Sequence, residues 1–567
     1  MATLSSFPNL EQMFPRGRGS ILAAPETFRL GVIVSGSLSK GLVVKLDIGV
    51  PIEELAVGRY VVVHGINKRF FCMITDVLLD NPNPDIQSAP PDFSDPFLVA
   101  VYGGTAAYGK VNVQPLLSID EEADGSLSKP KPVKTIPGHF MPVFDATVGD
   151  VNAVFGAEDA THFNVGAPLE LEETQINLDL KRLVERSIGV FGKSGTGKSF
   201  LTRMLLAGVI AKKQAVALIF DMHNDYGWAA PDERGVQAKG LKQILNNEVM
   251  IYTLDPESTR RRQAKVDFEV RIGYHEVEPE DLESLRVTMN LSDAMLDAAR
   301  MLRKEWGTDW VRRLIDAGIN DFEAIEAESP HRAGSLAALQ RRMQRFERWD
   351  FLTRVTTGDS VAQMMNDLAN QKSVVLEFGR YGNSLEAYML VANFLTRRIH
   401  ELYVDQVEKA LGDKAHEPPQ LLIVIEEAHK FLDPKVANQT TFGIIAREMR
   451  KYNVTLLVVD QRPSGIDEEV MSQIGTRVTA LLDNERDMNA VLMGISGAAG
   501  LREVLSRLDT KQQVIIMGHA VPMPVVVATR SYDEAFYAAI QGIIAGAPVS
   551  GATRTGKKDK PDDRRIK

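Results

Sequence analysis

Apolar positions between residues 28 and 102 fall in short runs with glycine or polar residues between them, at 30–34, 42–46, 60–64, 70–74 and 97–102. Brief β-type runs at roughly ten-residue spacing, punctuated by turn residues, predict a small all-β barrel or sandwich. The stretch 81–96, with Pro82, Pro84, Pro90, Pro91 and Pro96, reads as a loop, and so does 118–137, rich in acids and Lys-Pro. The all-β domain is therefore expected over 25–150, behind a flexible leader at 1–24 that carries Pro8, Pro15 and Arg16-Gly17-Arg18-Gly19.

From about 160 the pattern changes to apolar strands alternating with helical stretches, which predicts a mainly parallel sheet covered on both faces, an α/β fold. The candidate strands are 188–191, 215–221, 249–253, 374–378, 421–425, 455–459, 477–482, 513–517 and 525–529. The β pattern is absent from 276–354, where 291–305 and 335–348 have helical spacing and many charges. This predicts a helical insertion at 276–354 in a core formed by 160–275 and 355–545. The end of the chain, 546–567, has seven basic and three acidic residues from Arg554 to Lys567 and reads as a flexible tail.

Composition narrows the class. With 44% hydrophobic and 25% charged residues, the chain has enough apolar material for a large core. Its net charge of −10 argues against coating nucleic acid with the whole surface, and leaves a local basic groove open. A single cysteine, Cys72, can form neither an internal disulfide nor a zinc cluster, which suggests a reducing compartment. No signal-like N-terminus is present, and no apolar run approaches the ~18 residues of a membrane helix. The expected location is the cytoplasm.

The strongest chemical pattern is Gly192-Lys193-Ser194-Gly195-Thr196-Gly197-Lys198-Ser199, a complete G-x-x-x-x-G-K-[ST] after an apolar strand and before a helical run. Its glycines let successive N–H groups face phosphate oxygens, and the following helix adds its positive end. Lys198 would reach the β- and γ-phosphates of ATP, and Ser199 would hold Mg²⁺. A second strand, 421–425, ends in Glu426-Glu427. Glu426 is the candidate for the Mg²⁺ shell and Glu427 for polarising the attacking water. A third strand ends in Asp460-Gln461-Arg462, where Gln461 is suited to bond both a γ-phosphate oxygen and the water. Arg462 reads equally as sensor, interface or structural residue. The turn Asp221-Met222-His223-Asn224-Asp225-Tyr226-Gly227 follows another apolar strand, and no second histidine stands at metal-ligand spacing from His223. Arg447 and Arg450, at the end of a helix from about 440, either complement its dipole or reach a neighbouring subunit's nucleotide as an arginine finger.

Together these residues resemble the HerA branch of the HerA–FtsK family of P-loop ATPases. The likeness runs through the P-loop, "DMHNDYG", "EEAHKF", "AREMRKYNV" and "DQRPSGIDEEVMSQIGTRV". Departures are Asn224-Asp225 where Gly-Glu is more usual, Met449 where Gly is usual, and Asp460 where Ser or Thr is common. The resemblance implies a RecA-like P-loop core with a helical insertion behind a small barrel of the HAS type. It also implies a homohexamer with ATP and Mg²⁺ between subunits, moving double-stranded DNA through a central channel. The implied partner is a NurA-like nuclease docked on the barrel or, in related bacterial rings, another effector against phage. Arg234, Lys239 and Lys242 are candidates for the channel or simply solvated surface. The alternative is an ATP-dependent assembly platform that organises an effector without processive translocation.

Overall fold

The computed structural model describes residues 28–546 apart from 82, 91, 93, 103–107, 122–127, 232–234, 236, 319–332, 356–357, 412–416, 435–436, 438–440 and 496–497. The leader at 1–24, the tail beyond Gly546 and Arg234 lie outside the described residues.

Six antiparallel strands form the N-terminal barrel. In spatial order they are Gly41–Leu46, Arg29–Ser37, Pro142–Asp145, Tyr60–His64, Lys68–Asp80 and Tyr108–Asp120, and the last pairs back with the first. Closure removes the free edges that an open sheet would expose. Strand alternation explains why two of them are buried on both faces. Val61, Val63, Phe70, Cys72 and Ile74 fill the barrel, whereas Tyr60, Val62, Phe71 and Met73 join the larger core beside it.

Two expectations fail here. Residues 97–102 form part of the helix Pro96–Tyr102, because the Asp95 carboxylate accepts the Phe97 amide at 2.8 Å and no strand lies alongside. The strand Tyr108–Asp120 extends into the stretch read as a loop from 118, carried by a long ladder with Lys68–Asp80.

The second sheet has twelve strands in the order Phe268–Glu269, Val249–Thr253, Ser373–Glu377, Val216–Asp221, Leu421–Glu426, Val454–Asp460, Ser187–Phe191, Ile474–Thr479, Gln513–Gly518, Val525–Thr529, His162–Pro168 and Ile176–Asp179. Neighbours are parallel from the first strand through Ile474–Thr479 and antiparallel beyond it. The P-loop strand Ser187–Phe191 is buried at every position, as parallel strands covered on both faces must be. Ile474–Thr479 starts three residues before the run at 477–482, since its register is set by the P-loop strand, where Val190 faces Val478. The polar hydrogen-bonding residues of His162–Pro168 and Ile176–Asp179 hid both strands in the sequence.

Most of the insertion is helical, at Asp293–Trp306, Trp310–Asp316 and Ala333–Met343 around the fully buried Trp310. Arg397 Nε and Nη2 donate to the buried Asp281 carboxylate at 2.9 and 2.8 Å, locking the insertion to the core helix Leu385–Ala410. Among the described residues no helix is long and apolar enough to cross a membrane.

Candidate nucleotide site

Three strands deliver the site to one sheet edge. Val454–Asp460 lies between the P-loop strand and the acidic strand, with Phe191 opposite Asp460 and Glu426 opposite Val459. Gln461 therefore leaves its strand between the P-loop and the carboxylates. The sheet edge where parallel strands end is where α/β folds bind ligands.

The loop after Phe191 takes positive φ at Gly192 (157°), Gly195 (79°) and Gly197 (80°), and the helix Lys198–Ala211 starts directly after it. A Cβ at Gly192 would stand 2.7 Å from Thr196 Oγ1 and 2.9 Å from Ala480 Cβ, so a side chain there would force the loop apart. Thr196 Oγ1 and Lys198 Nζ both donate to the Lys193 carbonyl, at 2.8 and 2.9 Å. Burial holds Lys198 below the usual lysine range, and the Glu427, Asp460 and Glu426 carboxylates oppose that shift.

Glu426 is 7% exposed; its Oε1 accepts the Tyr226 hydroxyl at 2.9 Å, and its Oε2 has no hydrogen-bond partner among the described residues. Burial, reinforced by Asp221, pushes this carboxyl up to about 8. Asp221 accepts the Asp225 and Tyr226 amides at 2.8 and 2.9 Å, which folds the turn that aims Tyr226 at Glu426. Burial raises Asp221 to about 7. Glu427 sits in the left-handed region at φ 50°, turning its side chain toward Gln461, whose Nε2 donates to Glu427 Oε1 at 3.1 Å.

Lys198, Ser199, Glu426, Glu427 and Gln461 line one cleft of ≈ 290 Å³, with Arg203 and His223 at its side. A larger cavity of ≈ 520 Å³ meets it across Gly195 and Gly197, lined by Phe200, Lys511, Arg530 and Tyr532 among others. Backbone amides, a lysine and a helix start on one wall, facing carboxylates on the other, suit a polyphosphate with its cation. The free oxygen of Glu426 and the Ser199 hydroxyl fit a hard cation such as Mg²⁺. Among the described residues no cluster of three or more His, Cys, Asp or Glu side chains could hold a metal, so such a cation takes its other ligands from phosphate and water.

The remaining predicted residues lie elsewhere. Arg447 Nη1 stands 3.4 Å from Glu469 Oε2. Arg450 is exposed, and its charge acts on Glu185 at the start of the P-loop strand, across the sheet from the cleft. Lys239 and Lys242, read as channel candidates or solvated surface, pair with Glu534 at 2.8 Å and Asp267 at 3.0 Å. The Arg462 amide donates to Asp460 and its side chain is exposed.

Residues 163–399, which span the P-loop, the 221–227 turn and the helical insertion, match the family model described as Helicase HerA, central domain. The likeness to HerA expected from the motifs is thus found across residues 163–399. The chain is an ATP-hydrolysing enzyme with a P-loop α/β core behind an all-β barrel. The DNA double-strand break repair helicase HerA of Pyrococcus furiosus is 26% identical over 65% of this chain and 70% of its own length. The corresponding helicase of Sulfolobus acidocaldarius is 22% identical over 85% of this chain and 90% of its own. Among solved structures, VirB4 of Thermoanaerobacter pseudethanolicus has a TM-score of 0.44 at 14% identity, covering 67% of this chain and 99% of that one.

Sequence reasoning missed Tyr226 as the partner of Glu426, and missed Phe200, Lys511, Arg530 and Tyr532 beside the P-loop. The last three come from the far end of the chain and form no motif. Their one signal is the aromatic cluster Tyr532, Phe536 and Tyr537 after the final strand.

Proposed function

We propose that the chain is one subunit of a homohexameric motor that uses ATP to move double-stranded DNA, acting with a partner nuclease of the NurA-like kind or another defence effector. The observation that carries the reading is the separation of charges. The carboxylates and Lys198 gather at one sheet edge, while Arg447 and Arg450 lie away from it, so these two arginines would reach a nucleotide in another copy. The relatives named as DNA double-strand break repair helicases suggest DNA as the load.

In this reading Lys198 leaves the Lys193 carbonyl for the β- and γ-phosphates, and the amides of 192–197 hold the phosphate chain. The larger cavity beside Phe200 and Tyr532 takes the nucleoside. Mg²⁺ held by Ser199 and the free oxygen of Glu426 would draw charge from the phosphates. Glu427 orients and polarises the attacking water, and Gln461 bonds that water and a γ-phosphate oxygen. Arg447 or Arg450 of an adjacent subunit stabilises the charge that develops. Loss of the γ-phosphate then loosens the subunit boundary, and channel contacts to the DNA backbone shift without reading bases.

ATP turnover measured with and without linear duplex DNA tests the reading. Stimulation by DNA that disappears in Glu427→Gln is expected. The second reading, an effector platform, is favoured by the exposed apolar side chains of the barrel, Ile66 (87%), Leu79 (84%), Phe97 (70%) and Phe140 (72%). Turnover indifferent to DNA, with partner binding intact, would select it.

A further inference from the structure

The strand ends carrying Glu427 and Gln461 are fastened by a pair of side chains outside the groups assigned above. Asp460 is 1% exposed and its carboxylate is fully engaged. It accepts the backbone amide of His429 at 2.6 Å, the backbone amide of Arg462 at 2.7 Å, and the His429 ring through Nδ1 at 3.0 and 3.1 Å. The His429 amide opens the short helix His429–Leu432, two residues beyond Glu427. The Arg462 amide immediately follows Gln461. One buried carboxylate thus ties together the two turns whose first side chains touch each other at 3.1 Å.

We propose that His429 and Asp460 are positioning residues for hydrolysis: their contact holds Glu427 in its left-handed conformation and fixes the Glu427–Gln461 pair that receives the attacking water. The inference rests on the reading of Glu427 as the residue that polarises water.

Three observations support it. A non-glycine residue at φ 50° is strained and persists only where its surroundings hold it. Here the hold comes from the helix start at His429 and from Lys430, whose amide donates to the Glu427 carbonyl at 2.9 Å. Next, His429 Nδ1 stands 3.7 Å from Glu427 Oε2 as well as against Asp460, so the imidazole bridges the two carboxylates. Finally, charges favour the ionic pair. The Asp460 hydrogen bond raises His429 above the usual histidine range despite burial, with Glu427 adding to the rise and Lys430 opposing it. His429 and the two amides hold Asp460 below the usual carboxylate range, also against its burial. The residue found where Ser or Thr is common is therefore engaged in a clasp that a neutral hydroxyl could make only weakly.

The test measures kcat, KM for ATP with Mg²⁺, and thermal stability in the full-length protein. His429→Leu removes the ring donor, and His429→Asn restores an amide donor near the Nδ1 position. Misplacement of reacting groups by a fraction of an ångström predicts a kcat loss of about 10–100-fold in His429→Leu, with KM changed by less than about threefold. His429→Asn is expected to recover most of that loss. Asp460→Asn should resemble His429→Leu, and the double variant should be no worse than the poorer single one, because both break one contact. If His429→Leu does not fold, the comparison of His429→Asn with Asp460→Asn and their double carries the test.

A kcat within about twofold of wild type in a folded His429→Leu would overturn the proposal, as would losses that multiply in the double variant. Glu427→Gln separates this failure from failure of the underlying reading. If Glu427→Gln is inactive while His429→Leu turns over normally, the clasp alone is wrong. If Glu427→Gln turns over normally, the assignment of Glu427 is wrong.

Discussion

Burial makes Glu426 and, in part, Asp221 retain protons near neutral pH that the unfolded chain would release, and this has a measurable sign. With Glu426 raised from 4.5 to about 8 and Asp221 from 3.8 to about 7, the folded state binds more protons across that window. Stability of the protein free of nucleotide and divalent cation should therefore fall as pH rises from the ordinary carboxylate range toward about 8. Thermal unfolding followed across that range checks this. Glu426→Gln, which mimics the protonated acid and keeps an acceptor for Tyr226, should flatten the slope; an equally steep slope in that variant would show that the carboxyl does not carry it. A cation bound at Glu426 would displace the proton, so Mg²⁺-nucleotide should stabilise the protein more as pH rises. Lys198 has a simpler outcome. Among the described residues its amine bonds only the loop carbonyl of Lys193. Lys198→Ala should therefore keep its melting temperature while turnover falls by about a hundredfold or more. Unchanged turnover would remove the P-loop assignment.

Secondary-structure elements were legible where periodicity and burial agree. The P-loop, acidic and third strands are apolar runs because they are covered on both faces, and the run then stops at the polar residues that line the cleft. The same rule misread 97–102, where Asp95 and Pro96 start a helix, and it overlooked Tyr108–Asp120, whose alternation is broken at Pro115 and by the bulge at Leu116 beside it. The strand Tyr60–His64 joins the barrel to the core through Tyr60, 3% exposed, whose hydroxyl donates to the Pro524 carbonyl at 3.2 Å and accepts the Val526 amide at 3.1 Å. Tyr60→Phe leaves both backbone groups buried without that partner and should cost about 1–3 kcal/mol. Urea unfolding of the full chain measures this, and a change under a few tenths of a kcal/mol would mean that apolar packing alone holds the junction.

In the proposed ring a neighbouring copy completes the nucleotide site. Arg447 and Arg450 stand away from their own cleft, and Arg450 lies across the sheet beside Glu185. Mixing Arg447→Ala or Arg450→Ala subunits with Glu427→Gln subunits should partly restore ATP turnover, since some boundaries then pair an intact arginine with an intact carboxylate. Recovery with one arginine variant identifies the finger. No recovery with either, in rings verified to be mixed, would exclude both.

The P-loop, the acidic pair and Gln461 could be read directly from the chain because each is a run of neighbouring residues whose chemistry depends on local backbone geometry and on a strand ending there. The barrel and the helical insertion were also visible, as changes in hydrophobic period. Contacts between distant segments could not be read in this way. Tyr226 meets Glu426, His429 meets Asp460 and Tyr60 meets Pro524 only because strand order and register bring them together, and no local pattern encodes which strand lies beside which. Burial then does the rest: folding removes water from Asp221, Glu426 and Lys198, and that desolvation sets their proton affinities.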